Sequence, residues 1–550
     1  MLARSPDLLT RLRGIDVADA IGAPAASWGD DLRAEWTRSG VRFAASSAEM
    51  ERQYYRAVRE LLSAIRPAGD AEPILHEGGV YEGCWLESTG TINAELLSRF
   101  LPAVAERTLG SFARHQREDG LLPYKITPAG AAFSQIQTVT PLARSVWTHY
   151  RLNGRPRSFL HRMYAAMARN DAWLAQHRDT RGTGAVEAFC TYDTGHDRSG
   201  RFWHMPDSPL GNDPKRYNTD NPFLPLLAPD LTANVACQRR YLADIAEELG
   251  EDGSAWREKA RASEAALFAQ CWDAEDEFFY DRDRNGALLK VQSDVLLRVL
   301  ACEIGDDAFF EAALRRYLLN TRKFFSRFPF TSIALDDPRF DPTFDQNSWS
   351  GPTNLLSIIR APHAFEAHGR YVELTWAMYP VLSALFRAPR FAQTLSPFTG
   401  DAGYTETYSP ATLCLLDFVE RLSGILPRPD GSLWFTGLVP YQIEHRDVAH
   451  EVAYGRTVDG RHFELVTTGE STAAYRDGEP LFSAPKGVRV VTDRSGEVTG
   501  LIGMSVAPVE GELTGPGGSM PFRVEANQQL ALHDGTFRTI RHGGIIAPTG

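Results

Sequence analysis

Apolar residues recur at helical spacing from about Ser46 to Leu426, in consecutive pairs of stretches joined by short turns, and no other feature limits the fold so strongly. The clearest pair follows Asp230. Leu231, Val235, Leu242, Ile245 and Leu249 fall on one stripe, with Asp230 suited to cap its start and Gly250 to end it. Ser254 can cap a second helix that carries Trp256, Ala260, Leu267 and Cys271 on one face, so the two form an antiparallel hairpin. The same pairing is expected at 137–152 with 156–177, at 292–303 with 306–319, and at 351–368 with 371–386. Stretches near 49–65, 102–118 and 411–424 bring the total to about eleven helices. Hairpins without repeat identity build either an open solenoid or a closed ring. Four long loops rich in Trp, Tyr, Asp and Glu lie between them, at 78–90, 191–206, 344–352 and 400–410. A ring brings distant loops to one mouth, so a closed ring over residues 46–426 is expected.

The pattern changes after Leu426. Residues 432–437, 462–469, 487–493 and 500–505 are short and rich in β-branched side chains, with Asp-Gly or Ser-Gly turns nearby, which predicts a C-terminal β-sandwich-like domain over 427–550. The first 45 residues give mixed signals and are expected to be irregular. With 550 residues, more than one ordinary core is needed. The formal charge is 58 − 70 = −12 with no dense basic run, which speaks against a nucleic-acid partner. Cys84, Cys190, Cys237, Cys271, Cys302 and Cys414 are scattered without a C-x-x-C pair, as expected of reduced thiols. Charges interrupt every short apolar run near the N-terminus, and no run reaches the roughly 20 residues of a membrane span. A soluble, cytoplasmic protein without a membrane partner is expected.

Three stretches could carry chemistry. Asp193 to Trp203 sets Asp193, Asp197 and Arg201 on one loop turned by Gly195 and Gly200. An acid catalyst needs a carboxyl that keeps its proton near neutrality; the same composition also suits a loop held by an Asp–Arg ion pair. Gly403 to Pro410 places Glu406 between two tyrosines before a helix. Inverting hydrolysis needs such a second carboxylate to activate water, although a first-turn glutamate is also favoured by the helix dipole. Residues 346–354 hold Trp349 in a loop, with Pro352 placed for the first turn of a helix. Trp349, Trp85 and Trp203 can each stack on a sugar ring or serve as core. The run Asp281 to Gly286 matches half a calcium loop, but Gln292 stands at position twelve and a strand precedes it, so a hairpin turn is expected and no metal site. No metalloprotease, α/β-hydrolase, P-loop or dinucleotide motif occurs.

Taken in order over roughly residues 75–425, these stretches resemble the (α/α)6-barrel glycosidases of glycoside hydrolase family 63, the group of processing α-glucosidases and bacterial mannosylglycerate hydrolases, with trehalases as relatives. The family's E-S-G-x-D-x-S-x-R loop is matched by Asp193 to Arg201, with Asp for the leading Glu, and Asp197 takes the position of the general acid. Its W-R-G-P motif is similar to Trp349-Ser350-Gly351-Pro352, followed by Asn354, and its E-N-Y-x-P motif to Glu406-Thr407-Tyr408-Ser409-Pro410, which carries the base. Asp230-Leu231 with Asn234 resembles the helix start that lines the pocket, and Trp85-Leu86-Glu87 the first barrel loop, where W-x-W-D is common. Ser350 in place of Arg and Glu87 in place of Asp are departures at positions that touch the sugar.

The resemblance implies a mainly α protein, an (α/α)6 barrel of six hairpins with a C-terminal β-sandwich-like domain. The implied activity is an inverting, exo-acting glycoside hydrolase on an α-linked small glycoside or oligosaccharide, working without a cofactor. Asp197 and Glu406 are the catalytic pair. Trp85, Glu87, Gln137, Tyr192, Asp193, Arg201, Trp203, Asn234, Trp349, Gly351, Asn354 and Tyr408 are the expected substrate contacts. A lyase or epimerase on the same scaffold would use His or Tyr bases, for which His196, His204 and His363 are available; phosphorolysis would not need Glu406, and a carbohydrate-binding protein would need neither carboxyl.

Overall fold

The computed structural model describes residues 6–22, 29–68, 72–439 and 449–550. Met1 to Ser5, where the N-terminal reading begins, and parts of the N-terminal and C-terminal segments therefore lie outside the described residues.

Helices form where the apolar stripes predict them. The pair after Asp230 is Pro229–Leu249 and Ser254–Cys271, packed along its length, and Gly250 closes the first helix in the left-handed region at φ 86°. Two expected caps are corrected. Asp230 lies inside the first turn, and Ala228 is the N-cap. Ser254 starts its helix after Gly253, and its hydroxyl donates to Asp252. In both cases a charged partner competes for the side chain more strongly than a backbone N–H. The other expected pairs appear as Leu142–Leu152 with Arg157–His177, Tyr371–Arg387 after the shorter Ala361–Ala367, and, shortened on both sides, Val295–Leu300 with Asp307–Ala313. Pro352 does not open a helix: a two-residue strand, Thr353–Asn354, intervenes, and Asn354 caps Leu355–Ile358 by accepting from the Leu356 N–H. Helix Ser409–Ser423, buried along its whole length, packs on helix Ala48–Ser63 near one end of the helical sequence and on Tyr371–Arg387 near the other.

The C-terminal part is two antiparallel sheets. The six-stranded sheet runs from Ile425–Pro427 and Leu433–Thr436 to Thr536–Arg541, and the other has seven strands. Phe435 of the first meets Phe463 and Phe482 of the second edge-to-face, as in a sandwich core. The described part of the N-terminal segment is not irregular. It holds helices Pro6–Gly14, Val17–Ile21 and Gly29–Arg38, and its strand Arg42–Ala45 pairs antiparallel with Val452–Val458. This strand satisfies the edge of a sheet some 400 residues away, a partner that local periodicity does not reveal. One apolar core runs through the helical region and the sheets, and Glu420 joins them by pairing with Arg456 on the strand and Arg99. The expected hairpin turn forms between Asp281–Arg282 and Leu288–Leu289, with turn amides donating to Asp283, whereas the strand before Asp281, Phe278–Phe279, pairs with Trp272–Asp273. All six cysteines are buried and free. Among the described residues no helix is long and apolar enough to cross a membrane.

Candidate active site

The acid loop is anchored from below by ion pairs. Arg178 holds Asp193 through both oxygens, at 2.6 and 3.2 Å, and the Ile136 and Phe189 amides donate to the same carboxylate. Arg201 reaches Asp230 and Asp281 in two forked pairs of 2.7–2.9 Å and approaches His196 Nδ1 at 3.0 Å. Burial works against the Asp230 charge, but Arg201 and Arg298 overturn it and hold its pKa low; at Asp281 burial wins and the pKa rises. Asp193 and Arg201, both expected at the sugar, thus spend their polar groups inside the protein. The plain ion-pair reading of this loop describes both.

Between these anchors the loop lifts Asp197 into a half-buried position. The loop of residues 347–350 clasps it from the other side: Asn347 Nδ2 donates to Asp197 Oδ2 at 2.8 Å, the Trp349 amide to the Asp197 carbonyl at 3.2 Å, and Gly200 N to Ser350 Oγ at 2.8 Å. Ser350 returns a bond to the Arg198 carbonyl at 2.9 Å. A serine at this position therefore staples two loops, a role for which an extended Arg would be too long. Burial raises the Asp197 pKa to about 6, with Asn347 opposing and Asp207 reinforcing the rise.

Two further carboxyls share this environment. Glu87 lies against Gly195, where a Cβ would overlap its carboxylate and φ is 68°, so only glycine lets the first loop and the acid loop meet. Burial pushes Glu87 up to about 7 against the pull of Arg298 and Arg360, and Asp197 adds to the rise. Glu77 accepts from Tyr408 Oη at 2.5 Å and from Ser88 Oγ at 3.0 Å; burial, with Glu87 and Asp197, pushes it up to about 8. Burial, with Asp197 acting on Glu87 and both acting on Glu77, leaves three carboxyls that retain protons near neutrality, the property an acid catalyst needs.

Glu406 differs. It is exposed and lines a cleft of about 740 Å³ with Tyr81, Arg66, Asp345 and Arg390. Thr405 and Thr407 on either side adopt φ 59° and 53°, unfavourable for β-branched residues. The loop is pressed onto Gly78 and Gly79, where added Cβ atoms would strike the Thr407 and Glu406 carbonyls. It precedes the N-cap Tyr408, so Glu406 is not a first-turn glutamate. Tyr81 lines the same cleft and packs edge-on to Trp85, and its phenol feels the charges of Glu77 and Asp197, so it links the cleft to the carboxyl pocket.

The remaining expected contacts divide. Tyr192 borders Asp197, whose charge, after burial, raises its pKa to about 12. Trp85 is half-buried with Lys125 Nζ 5.3 Å from its ring. Gln137, at φ 44°, and Asn234 are buried, and each has one amide oxygen without a hydrogen bond. Trp349 is buried between His196 at 4.8 Å and Arg298 at 4.7 Å, a wall instead of a platform. A Cβ at Gly351 would strike the Asp341 carbonyl, Asn354 is a cap, and Trp203 is 64% exposed on the surface. His196 is buried beneath the loop, held neutral by burial and Arg298 with its pKa down to about 4, and His363 lines a separate cavity with Glu95 and Arg421. Neither offers a base at Asp197. Among the described residues no group of His, Cys, Asp and Glu could hold a metal ion. Sequence reasoning missed Glu77, Asn347, Arg298 and Arg360. Arg298 carries a usable signal, a charge in the wholly apolar run of helix Val295–Leu300.

Residues 81–409 match the family model described as mannosylglycerate hydrolase MGH1-like glycoside hydrolase domain. No curated protein sequence matches. Among solved structures, the chain is similar to a GH63 mannosylglycerate hydrolase from Thermus thermophilus in complex with Tris and D-glycerate, with 18% identity over 66% of this chain and 99% of that one and a TM-score of 0.57. The same enzyme in complex with glucose aligns at 19% identity over 66% and 99%, with a TM-score of 0.54. A sialidase aligns at 14% identity over 84% of this chain and 42% of its own, with a TM-score of 0.61, so that likeness extends into the sheets. The family match spans the acid loop and ends within the Glu406 motif's helix start, and it makes this chain a glycosidase, a member of the MGH1-like glycoside hydrolase family.

Proposed function

We propose that the protein is an inverting, exo-acting glycosidase that removes one sugar from an α-linked small glycoside or oligosaccharide, with Asp197 as general acid and Glu406 as general base. The observation that carries the reading is the poorly solvated setting that Asp197 shares with Glu87 and Glu77: burial lets the acid keep its proton to about pH 6, while the Asn347 amide holds one of its oxygens in place. Glu406 stands in water, which solvates the ionised form a base needs, on a loop whose strained threonines and paired glycines fix its place. The helical hairpins close into an (α/α)6 barrel in this reading, supported by helix Ser409–Ser423 packing on helix Ala48–Ser63 and by the likeness to the Thermus enzyme. That enzyme's complexes with glucose and D-glycerate favour a short substrate.

A second assignment makes Glu87 the base. Its carboxylate lies against Gly195 of the acid loop, feels the charge of Asp197 and accepts no hydrogen bond from the described residues. A screen of nitrophenyl glycosides and natural disaccharides, without phosphate and with the product anomer read by NMR, tests the activity. E406Q and E87Q measured side by side assign the base, since only the true base takes hydrolysis of activated and natural substrates down together.

A further inference from the structure

We infer that Glu77 is a positioning residue for the reaction, a carboxyl that ties the loop of Glu406 to the loop of Glu87 through Tyr408 and Ser88. The inference rests on the reading of Asp197 and Glu406 as acid and base. Tyr408 follows Glu406 by two residues, and Ser88 follows Glu87 directly. The Glu77 carboxyl accepts from both hydroxyls, so one buried group spans two loops more than 300 residues apart in sequence. Backbone bonds run alongside: the Ser409 amide donates to the Glu77 carbonyl at 2.8 Å and Ser409 Oγ to the His76 carbonyl at 2.7 Å, and Gly78 bridges Tyr408. These keep the segments together, whereas the carboxyl fixes the rotamer of Tyr408 and the height of Ser88, and with them the gap across the pocket. A gap of this kind must leave room for one water and little more.

Glu77 reaches no substrate of its own, since both oxygens are engaged and it is buried. Its pKa of about 8 lies above that of Asp197 at about 6, so it is neutral while the acid titrates. An amide is then a close mimic. Glu77→Gln keeps an acceptor for Tyr408 and should leave kcat within about threefold of the parent, with the same alkaline limb in the pH profile. Glu77→Ala removes both ties and should lower kcat by about 10- to 100-fold with KM within about threefold, the size expected when reacting groups are misplaced by an ångström or less. Ser88→Ala cuts one tie and should fall between.

The steady-state comparison uses the full-length protein, with thermal unfolding run on every variant and Glu406→Gln as reference. If Glu77→Ala folds and keeps the parental kcat, the positioning role is wrong. If Glu77→Gln loses as much as Glu77→Ala, the charge itself is needed and the role is also wrong. If Glu77→Ala does not fold, Ser88→Ala decides, and a parental kcat there overturns the inference. An active Glu406→Gln instead sinks the assignment of the base, whichever way Glu77 behaves.

Discussion

The two loops that carry the proposed catalytic carboxyls are built in opposite ways. The acid loop, residues 193–203, stands on buried ion pairs, Arg178 with Asp193 and Arg201 with Asp230 and Asp281, and its Asp197 is drawn out of water. Among the described residues Glu406 of the loop 403–408 makes no ion pair; strained backbone and two glycines of a neighbouring loop hold it, and its carboxyl stays in solvent. The contrast matches the tasks. An acid must keep a proton, which a desolvated site favours, and a base must be charged, which water favours. A network of buried charges would serve the second loop badly, because it would set its carboxyl against other carboxylates.

The comparison breaks first at the carboxyls. Asp197→Asn should lower hydrolysis of natural substrates by about 10²–10⁴-fold while partly sparing activated aryl glycosides, which need less protonation. Glu406→Gln should lower both by a similar factor. Equal losses on both substrates from Asp197→Asn would show that it does not act as the acid. Next in size is the foundation of the acid loop. Arg201→Met leaves Asp281 without its cation and Asp230 with only Arg298, two carboxylates drawn together in the interior, and should cost about 3–5 kcal/mol in a denaturant titration. No single side-chain change in the loop of Glu406 removes a comparable pair, so Thr405→Ala should stay well below that value. A cost near 3 kcal/mol from Thr405→Ala would erase the contrast.

The sequence showed much of this, for definable reasons. Long helices such as Pro229–Leu249 and the strands after Leu426 are readable because each buries one face and so repeats at its own period. Asp197 and Glu406 were marked as candidates because they share short loops with turn residues and aromatics, and only the likeness to family motifs gave them their proposed roles. The roles of Asp193, Arg201 and Asn354 did not, since a buried ion pair or a cap looks like a ligand contact until its partner is known: Arg178, Asp281 and the Leu356 amide are invisible from the motif itself. Glu77 escaped because its partners, Ser88 and Tyr408, are set by the closure of the fold. The strand Arg42–Ala45 was lost in the same way, as half of a pairing whose other half begins at Val452.

A smaller effect probes how far desolvation alone sets the acid. The Asn347 amide donates to the Asp197 carboxylate and so favours the charged form. Asn347→Ala removes that bond, and the pKa of Asp197 should rise above about 6. Because the protonated form is the active one, the alkaline limb of the pH–kcat profile should move to higher pH. A limb that moves to lower pH, or stays fixed, would mean that another group controls it.

The least effect is expected at Trp203, where the acid loop itself reaches water. Its ring meets Phe223 at 5.6 Å and His204 at 5.2 Å, both edge-on, so one face is fixed in orientation and open to solvent. Little apolar area is lost on truncation, and Trp203→Ala should change stability by no more than about 0.5 kcal/mol, as at other surface positions. An open aromatic face at the end of a loop that starts beneath the proposed acid suits a sugar ring beyond the one that the proposed reaction releases, and stacking of that kind is worth about 0.5–1.5 kcal/mol. Trp203→Ala should therefore raise KM for a tri- or tetrasaccharide by about 2- to 13-fold, the same energy expressed as a ratio, and leave a nitrophenyl monoglycoside unaffected. A loss of equal size on both substrates would place Trp203 with the supports of Asp197, and the acid loop would then be one rigid unit from Asp193 to its solvent end.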